Sequence, residues 1–275
     1  MAHRKLRPRV SNAKIIRGLP LNVAISIGAR YDKVLQKYIS QMVKEVRAEI
    51  LNLWASERPD TAMDANLASM ARILTNKLTD KFVGLFGKIA MPTAQKMVDD
   101  VDKNSAATLK PSLKEIAADM SFKTDILNGS LKEVFTASVA ANVKLIQRIP
   151  QKYMDDVQGM VMRSIQTGDV DLIAELDKYG VTTRNWAKNV ALDQTRKAYN
   201  AISKGRMEAL GVTKFEWLHS GGSNKPRIFH KDELNGQIFS FDNLPIIDKA
   251  TGERGIPGQL PYCRCRMRPV YDFDD

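Results

Sequence analysis

Residues 215–219 read Phe-Glu-Trp-Leu-His, residues 226–239 read Pro-Arg-Ile-Phe-His-Lys-Asp-Glu-Leu-Asn-Gly-Gln-Ile-Phe, and residues 260–270 read Leu-Pro-Tyr-Cys-Arg-Cys-Arg-Met-Arg-Pro-Val. Phe215, Trp217 and His219 alternate with Glu216 and Leu218, the period of a strand whose side chains leave on opposite faces. Asn235-Gly236 is the pair favoured in a two-residue type I′ hairpin, because both central residues need positive φ; Ile238 and Phe239 then start the return strand. Cys263, Cys265 and Met267 alternate with Arg264, Arg266 and Arg268. That spacing predicts one sulfur-bearing face and one cationic face, the latter solvated or paired with nearby acids. Both cysteines and two of the three histidines of the chain fall in this stretch.

Upstream the period changes to that of helices. Val34, Leu35, Tyr38, Ile39, Met42, Val43, Val46, Ile50 and Trp54 form one apolar stripe, ended by Arg58-Pro59-Asp60. Leu67, Met70, Ala71, Leu74, Leu78, Phe82, Leu85 and Ile89 form the next, with Pro92 as its stop, and a weaker helical stretch passes Met97 and Val101. Ser112-Leu113-Lys114-Glu115 and Ser130-Leu131-Lys132-Glu133 both read as capping boxes, with Ser at the N-cap and Glu three residues on. The second opens a helix that Pro150 closes. Shorter helices are expected over 151–167 and 170–179, stopped by Gly168 and Gly180, and a last one runs from a Thr182 or Thr183 cap to Gly211. The expectation is an α+β fold, mainly α: seven or so helices followed by a small β-hairpin-containing domain. It divides into a basic extended arm (1–30), a helical domain (31–180) and a C-terminal domain of one long helix plus a small β subdomain (181–275).

At 275 residues, with 44% hydrophobic and 27% charged residues, the composition is that of a globular chain with a sizeable core. No apolar run approaches the roughly 20 residues of a membrane span, and the N-terminus has charge but no apolar segment of a secretory signal. Two cysteines two positions apart make a poor disulfide framework, which points to a reducing compartment. The net charge is +11, and residues 1–18 hold six Lys or Arg and no acid. Arg4, Lys5, Arg7, Arg9, Lys14 and Arg17 are therefore the candidate nucleic-acid contacts, since such an arm neutralises phosphates without reading sequence.

His219, His230, Cys263 and Cys265 form a candidate Cys2His2 set for a structural zinc, the ligand types that ion prefers. The Cys-x-Cys step differs from the usual knuckle, and the bland alternative is that the cysteines are small buried hydrophobes and His230 a hydrogen-bonded core residue. A Cys263–Cys265 disulfide would close a strained small ring. His230-Lys231-Asp232-Glu233 beside a basic surface raises a nuclease with His230 as general base, but no partner carboxylates fall at a recognisable spacing. No phosphate-cradling glycine loop, nucleophile elbow or His-Glu-x-x-His motif is present.

The order of these segments carries more than any pair of residues. A helix with Arg196 and Asn200, then Gly211, Trp217, Arg227, His230, Leu234, Gly236, Phe239 and Cys263-Arg264-Cys265, resembles the C-terminal domain of phage Mu F-like minor head proteins, the head morphogenesis family, over about residues 185–272. The family often has Asp-x-Arg-x-x-His before the hairpin; this chain has Asn224-Lys225-Pro226-Arg227-Ile228-Phe229-His230, without the Asp. The resemblance implies a structural, non-enzymatic minor capsid protein of a tailed bacteriophage. It implies association with the portal protein and the major capsid protein, a place in the virion's capsid interior near the portal, assembly in the bacterial cytoplasm, and contact of the basic arm with packaged double-stranded DNA. The alternative is a nucleic-acid-binding protein with a zinc-stabilised C-terminal domain, and after it a nuclease.

Overall fold

The structure, a computed structural model, describes residues 15–56, 64–117, 123–124, 129–168, 171–222 and 226–272. It begins with strand β1 (Ile15–Arg17) and continues with four long helices, α1 (Ile25–Ser56), α2 (Asp64–Ile116), α3 (Gly129–Thr167) and α4 (Leu172–Ala209). Then come β2 (Lys214–Leu218), one π-helical turn (His230–Leu234), β3 (Ile238–Ser240), β4 (Ile246–Asp248), β5 (Glu253–Arg254) and β6 (Arg266–Asp272). The fold is α+β and mainly α, as expected.

Among the described residues the seven or so expected helices are four, because Pro92, Pro150 and Gly180 do not stop the helices that contain them. α2 continues through Pro92 and absorbs the weaker helical stretch after it; α3 continues through Pro150 to Thr167. A proline removes one backbone hydrogen bond and crowds the preceding turn. The buried stripe Phe82, Phe86, Ala90, Ala94, Met97, Val98 and Val101 nevertheless runs across Pro92 in helical phase, so packing holds the helix together. Ser112 is consequently no N-cap: it lies inside α2, and its hydroxyl donates to the Leu19 carbonyl at 2.8 Å. Ser130 falls within the first turn of α3, one residue past the helix start at Gly129. Gly180, Thr182 and Thr183 lie within α4 rather than at a boundary. Gly168 and Gly211 do end their helices, both at positive φ (66° and 78°).

The chain forms two compact units, each drawn from separate stretches of the sequence. One is all-helical, drawn from residues 29–95 and 139–191. Its core contains Leu35, Ile39, Met42, Phe82, Phe86, Tyr153 and Val157. Tyr31 donates to Asn142 at 3.1 Å, Gln36 to the Arg184 carbonyl at 2.9 Å, and Arg47 pairs with Asp177 at 2.9 Å. Gly180 is a packing position there: a Cβ on it would meet Val43 Cγ1 at 2.7 Å.

The other unit, from residues 1–28, 96–138 and 192–275, carries the strands. Its four-stranded antiparallel sheet has the order β1-β6-β2-β3, with Trp217 opposite Met267 and Phe215 opposite Phe239. Phe215, Trp217, Cys263, Cys265 and Met267 are buried and Arg264 is exposed, as the alternation expects, but Glu216 is buried as well, where it pairs with Arg17 and Arg268. Burying a side chain as large as Trp217 contributes on the order of 3 kcal/mol. The strand itself starts only at Arg266, after both cysteines. Asn235 (φ −61°, ψ 126°) and Gly236 (φ 81°) make a type II turn, not type I′, and it joins the π-helical turn to β3. β3 still pairs with β2 as the return strand. In the same unit α2 and α4 share polar contacts, Ser105 with Ser203 at 2.9 Å, Thr108 with Tyr199 at 2.6 Å and Asp102 with the buried Arg206, which also donates to the Thr124 carbonyl.

Candidate metal centre

β2, the π-helical turn and the segment leading into β6 bring three ligand-type side chains together. His230, Cys263 and Cys265 are all buried, and their ligand atoms lie within 4.8 Å of one another. His230 Nδ1 is 3.6 Å from Cys263 Sγ and 3.8 Å from Cys265 Sγ. A tetrahedral zinc with Zn–N near 2.05 Å and Zn–S near 2.3 Å places nitrogen and sulfur about 3.6 Å apart, so the spacing fits.

Each side chain is aimed by its surroundings. His230 opens the π-helical turn, a distortion frequent at functional positions. Its Nε2 lies 2.8 Å from the Ile247 carbonyl on β4. A carbonyl can only accept, so Nε2 carries the proton and Nδ1 is left with its lone pair toward the sulfurs. Trp217 meets the imidazole edge-on, with centroids 5.1 Å apart and planes at 77°. The two cysteines share a side because one residue separates them. Tyr262, immediately before, has φ 59° and is the one non-glycine residue at positive φ among those described. Its amide donates to Asp193 Oδ1 of α4 at 2.7 Å. That contact holds a costly backbone conformation at the entrance to the Cys-Arg-Cys segment.

The electrostatics favour a thiolate at Cys263. A hydrogen bond from Cys265 pulls the Cys263 pKa down against the opposing effect of burial, helped by His230 and by the amides of Cys265 and Gly258. Cys265 is pushed up, chiefly because it supplies that hydrogen bond and because it is buried. For His230, burial works against charging. Hydrogen bonds to Cys263 and to the Ile247 carbonyl outweigh it and leave the pKa raised. Trp217 Nε1 is buried without a conventional acceptor and lies where it favours a Cys265 thiolate. A buried N–H directed at a sulfur and a backbone carbonyl fixing the imidazole are what a cysteine-histidine metal site needs around its ligands. The three residues could hold a soft or borderline divalent ion.

His219 is not part of this cluster. Its Nδ1 accepts from the Gly221 amide at 3.2 Å, and its own amide donates to Asn235 Oδ1 at 2.8 Å. The alternation of Phe215, Trp217 and His219 read it as a strand residue, but the strand ends at Leu218 and the side chain turns to a loop. Of the basic arm, Arg4, Lys5, Arg7, Arg9 and Lys14 lie outside the described residues. Arg17 is in β1, and its Nε donates to Glu216 at 3.1 Å, the same carboxylate oxygen that Arg268 reaches at 3.1 Å. The cationic face is thus partly ion-paired, as expected. The sequence reading missed the Ile247 carbonyl and the Trp217 indole as parts of the site, because neither is a ligand-type group.

The residues that carry the family resemblance gather here too. Asn200 donates to the Pro257 carbonyl at 2.9 Å, and Gly258 packs so close that a Cβ would meet Asn200 Nδ2 at 2.4 Å. Arg227 donates to the Pro261 carbonyl at 3.0 Å. Arg196 stands on α4 near Cys263 and Arg264; burial and the Arg264 charge lower its pKa, and Asp193 and Cys263 offset them in part.

Comparison with known proteins finds a 148-residue stretch that is 33% identical to an uncharacterized protein of Haemophilus influenzae, covering 53% of this chain and 31% of that protein. The chain therefore matches less than a third of that relative's length. No family profile matches the chain. No solved structure matches it either.

Proposed function

We propose that this chain is a structural minor head protein of a tailed bacteriophage whose C-terminal module is clamped by zinc at His230, Cys263 and Cys265. The observation that carries the reading is convergence. Residues far apart in sequence that mark the resemblance, Arg196, Asn200, Trp217, Arg227, His230, Cys263 and Cys265, come to surround one buried cluster of ligand-type side chains. In this reading the zinc ties the π-helical turn to the β6 segment, so that metal binding contributes folding energy. The helices face the portal protein and the major capsid protein. Residues 1–14 contact packaged double-stranded DNA, with Arg17 withdrawn from that set by its ion pair to Glu216.

Two measurements test the two parts. Heads isolated before and after packaging contain the chain in low copy number, located near the portal by density or cross-linking; absence from both preparations removes the head assignment. Metal analysis of the purified chain finds about one zinc per chain, reduced in Cys263→Ser, and cobalt substitution gives the strong visible bands of tetrahedral thiolate ligation. For the arm, deleting residues 1–14 removes five cations and flattens the salt dependence of DNA binding by up to about 4 units of log–log slope.

A further inference from the structure

Beside the candidate metal centre, within the same unit and sharing Cys265 with it, lies a second feature. A pocket of about 430 Å³ opens between the start of α1, one face of α4 and the segment entering β6. That volume suits a small molecule and exceeds what an ordered water or two would fill. Its wall carries three guanidinium groups, those of Arg196, Arg264 and Arg266, and no Asp or Glu is among its lining residues. Leu21, Leu192 and Ile25 supply an apolar floor and rim.

The three arginines are incompletely partnered. Arg264 gives one nitrogen to the Gly222 carbonyl at 2.7 Å, and Arg266 gives one to Asn22 Oδ1 at 2.7 Å while its Nε is buried without an acceptor. The Arg196 guanidinium makes no hydrogen bond or ion pair with the described residues. Its nearest opposing carboxylate, Asp193, is held by Lys197 at 3.0 Å and by the Tyr262 amide at 2.7 Å. Like charges drawn together in a half-buried wall repel, and a multiply charged anion relieves that repulsion while matching the planar forks of arginine. α1 begins at the same rim, and its first turn contains no acidic side chain, so its positive end adds to the field.

We infer that this pocket binds a phosphate monoester, carried either by a free nucleotide or by the end of a nucleic-acid strand, with Arg196, Arg264 and Arg266 around the phosphate and the apolar rim against the rest of the ligand. The inference does not depend on the assignment to a phage head or on zinc.

Calorimetric titration of the full chain tests it, with inorganic phosphate, a 5′-mononucleotide, and one short single-stranded oligonucleotide with and without a 5′-phosphate. The expected result is saturable binding of the phosphomonoesters that weakens about tenfold or more in Arg196→Gln and in Arg266→Gln, the loss of one charge-assisted contact each. Lys110→Gln, an exposed cation on α2, serves as the control and binds like the parent chain. A mononucleotide as tight as the phosphorylated oligonucleotide identifies free nucleotide as the source; a phosphorylated strand tighter than both the mononucleotide and the unphosphorylated strand identifies a strand end. Circular dichroism checks each variant, and should Arg196→Gln lose its fold, Arg266→Gln decides. The inference is overturned by an absence of binding at millimolar ligand, by arginine variants that bind like the parent, or by strands that bind equally with and without the 5′-phosphate.

Discussion

The hydroxyl of Tyr153 is buried in the all-helical unit with no hydrogen-bond partner among the described residues, and burial raises its pKa well above the ordinary phenol value. Leaving such a group unsatisfied costs about 1–3 kcal/mol. Tyr153→Phe is therefore expected to stabilise the chain by about 1 kcal/mol in urea titrations at neutral pH. The sign of the pH dependence follows from the raised folded-state pKa. Below about pH 10 the phenol is neutral in both states; above it the unfolded chain ionises first and stability falls as pH rises. The parent chain should lose stability in that alkaline window, and Tyr153→Phe should lose less. At the metal centre, His230→Ala is expected to lose most bound zinc while His219→Ala keeps it, as read by metal content per chain; a loss in both would restore the four-ligand set. Of the four ligand candidates named from the sequence, three, His230, Cys263 and Cys265, come together in the cluster. Sequence spacing could not separate His219 from His230, because only the loop that follows Leu218 and the π-helical turn that His230 opens decide which imidazole faces the sulfurs.

Helices were legible as apolar stripes, and their ends were not. Pro92 read as a stop because local propensity is a property of one residue, whereas the stripe from Phe82 to Val101 is a property of the packed helix. Pro92 is exposed, so Pro92→Ala should restore a backbone hydrogen bond to Lys88 with no loss of packing and stabilise α2 by about 1–3 kcal/mol in thermal or urea unfolding. Glycines within helices divide in the same way. A methyl group on Gly84 would meet nothing within 4 Å, so Gly84→Ala should stabilise by roughly 0.5–1 kcal/mol. Gly180 would drive a methyl into Val43, so Gly180→Ala should destabilise by about 1–3 kcal/mol despite the better helix former. Combining it with Val43→Ala should recover part of the loss, and additive effects in that double variant would show that the two positions do not touch. The sequence reading assigned Gly180 to a helix stop because close approach of another helix and termination both call for a residue without a side chain.

Across the whole chain, the four long helices each give residues to both compact units, which no local signal announces. The small β region was legible because strand alternation and rare residue types coincide in a short stretch. Chelation of zinc is expected to raise amide exchange in residues 226–265 while the core amides of the all-helical unit keep their protection, measured by hydrogen-exchange mass spectrometry; equal loss in both units would mean that the metal supports more than its own module. One further property follows from β1 lying antiparallel on β6, with Ile15 opposite Asp272 and Arg17 opposite Val270. Residues 15 and 272 sit at the same end of this strand pair, so force applied across them reaches the ladder as it reaches the teeth of a zipper. Its bonds are loaded one after another instead of together in shear. In an optical trap this edge should open at low force and before any helix extends, a weak mechanical latch on a mainly helical chain.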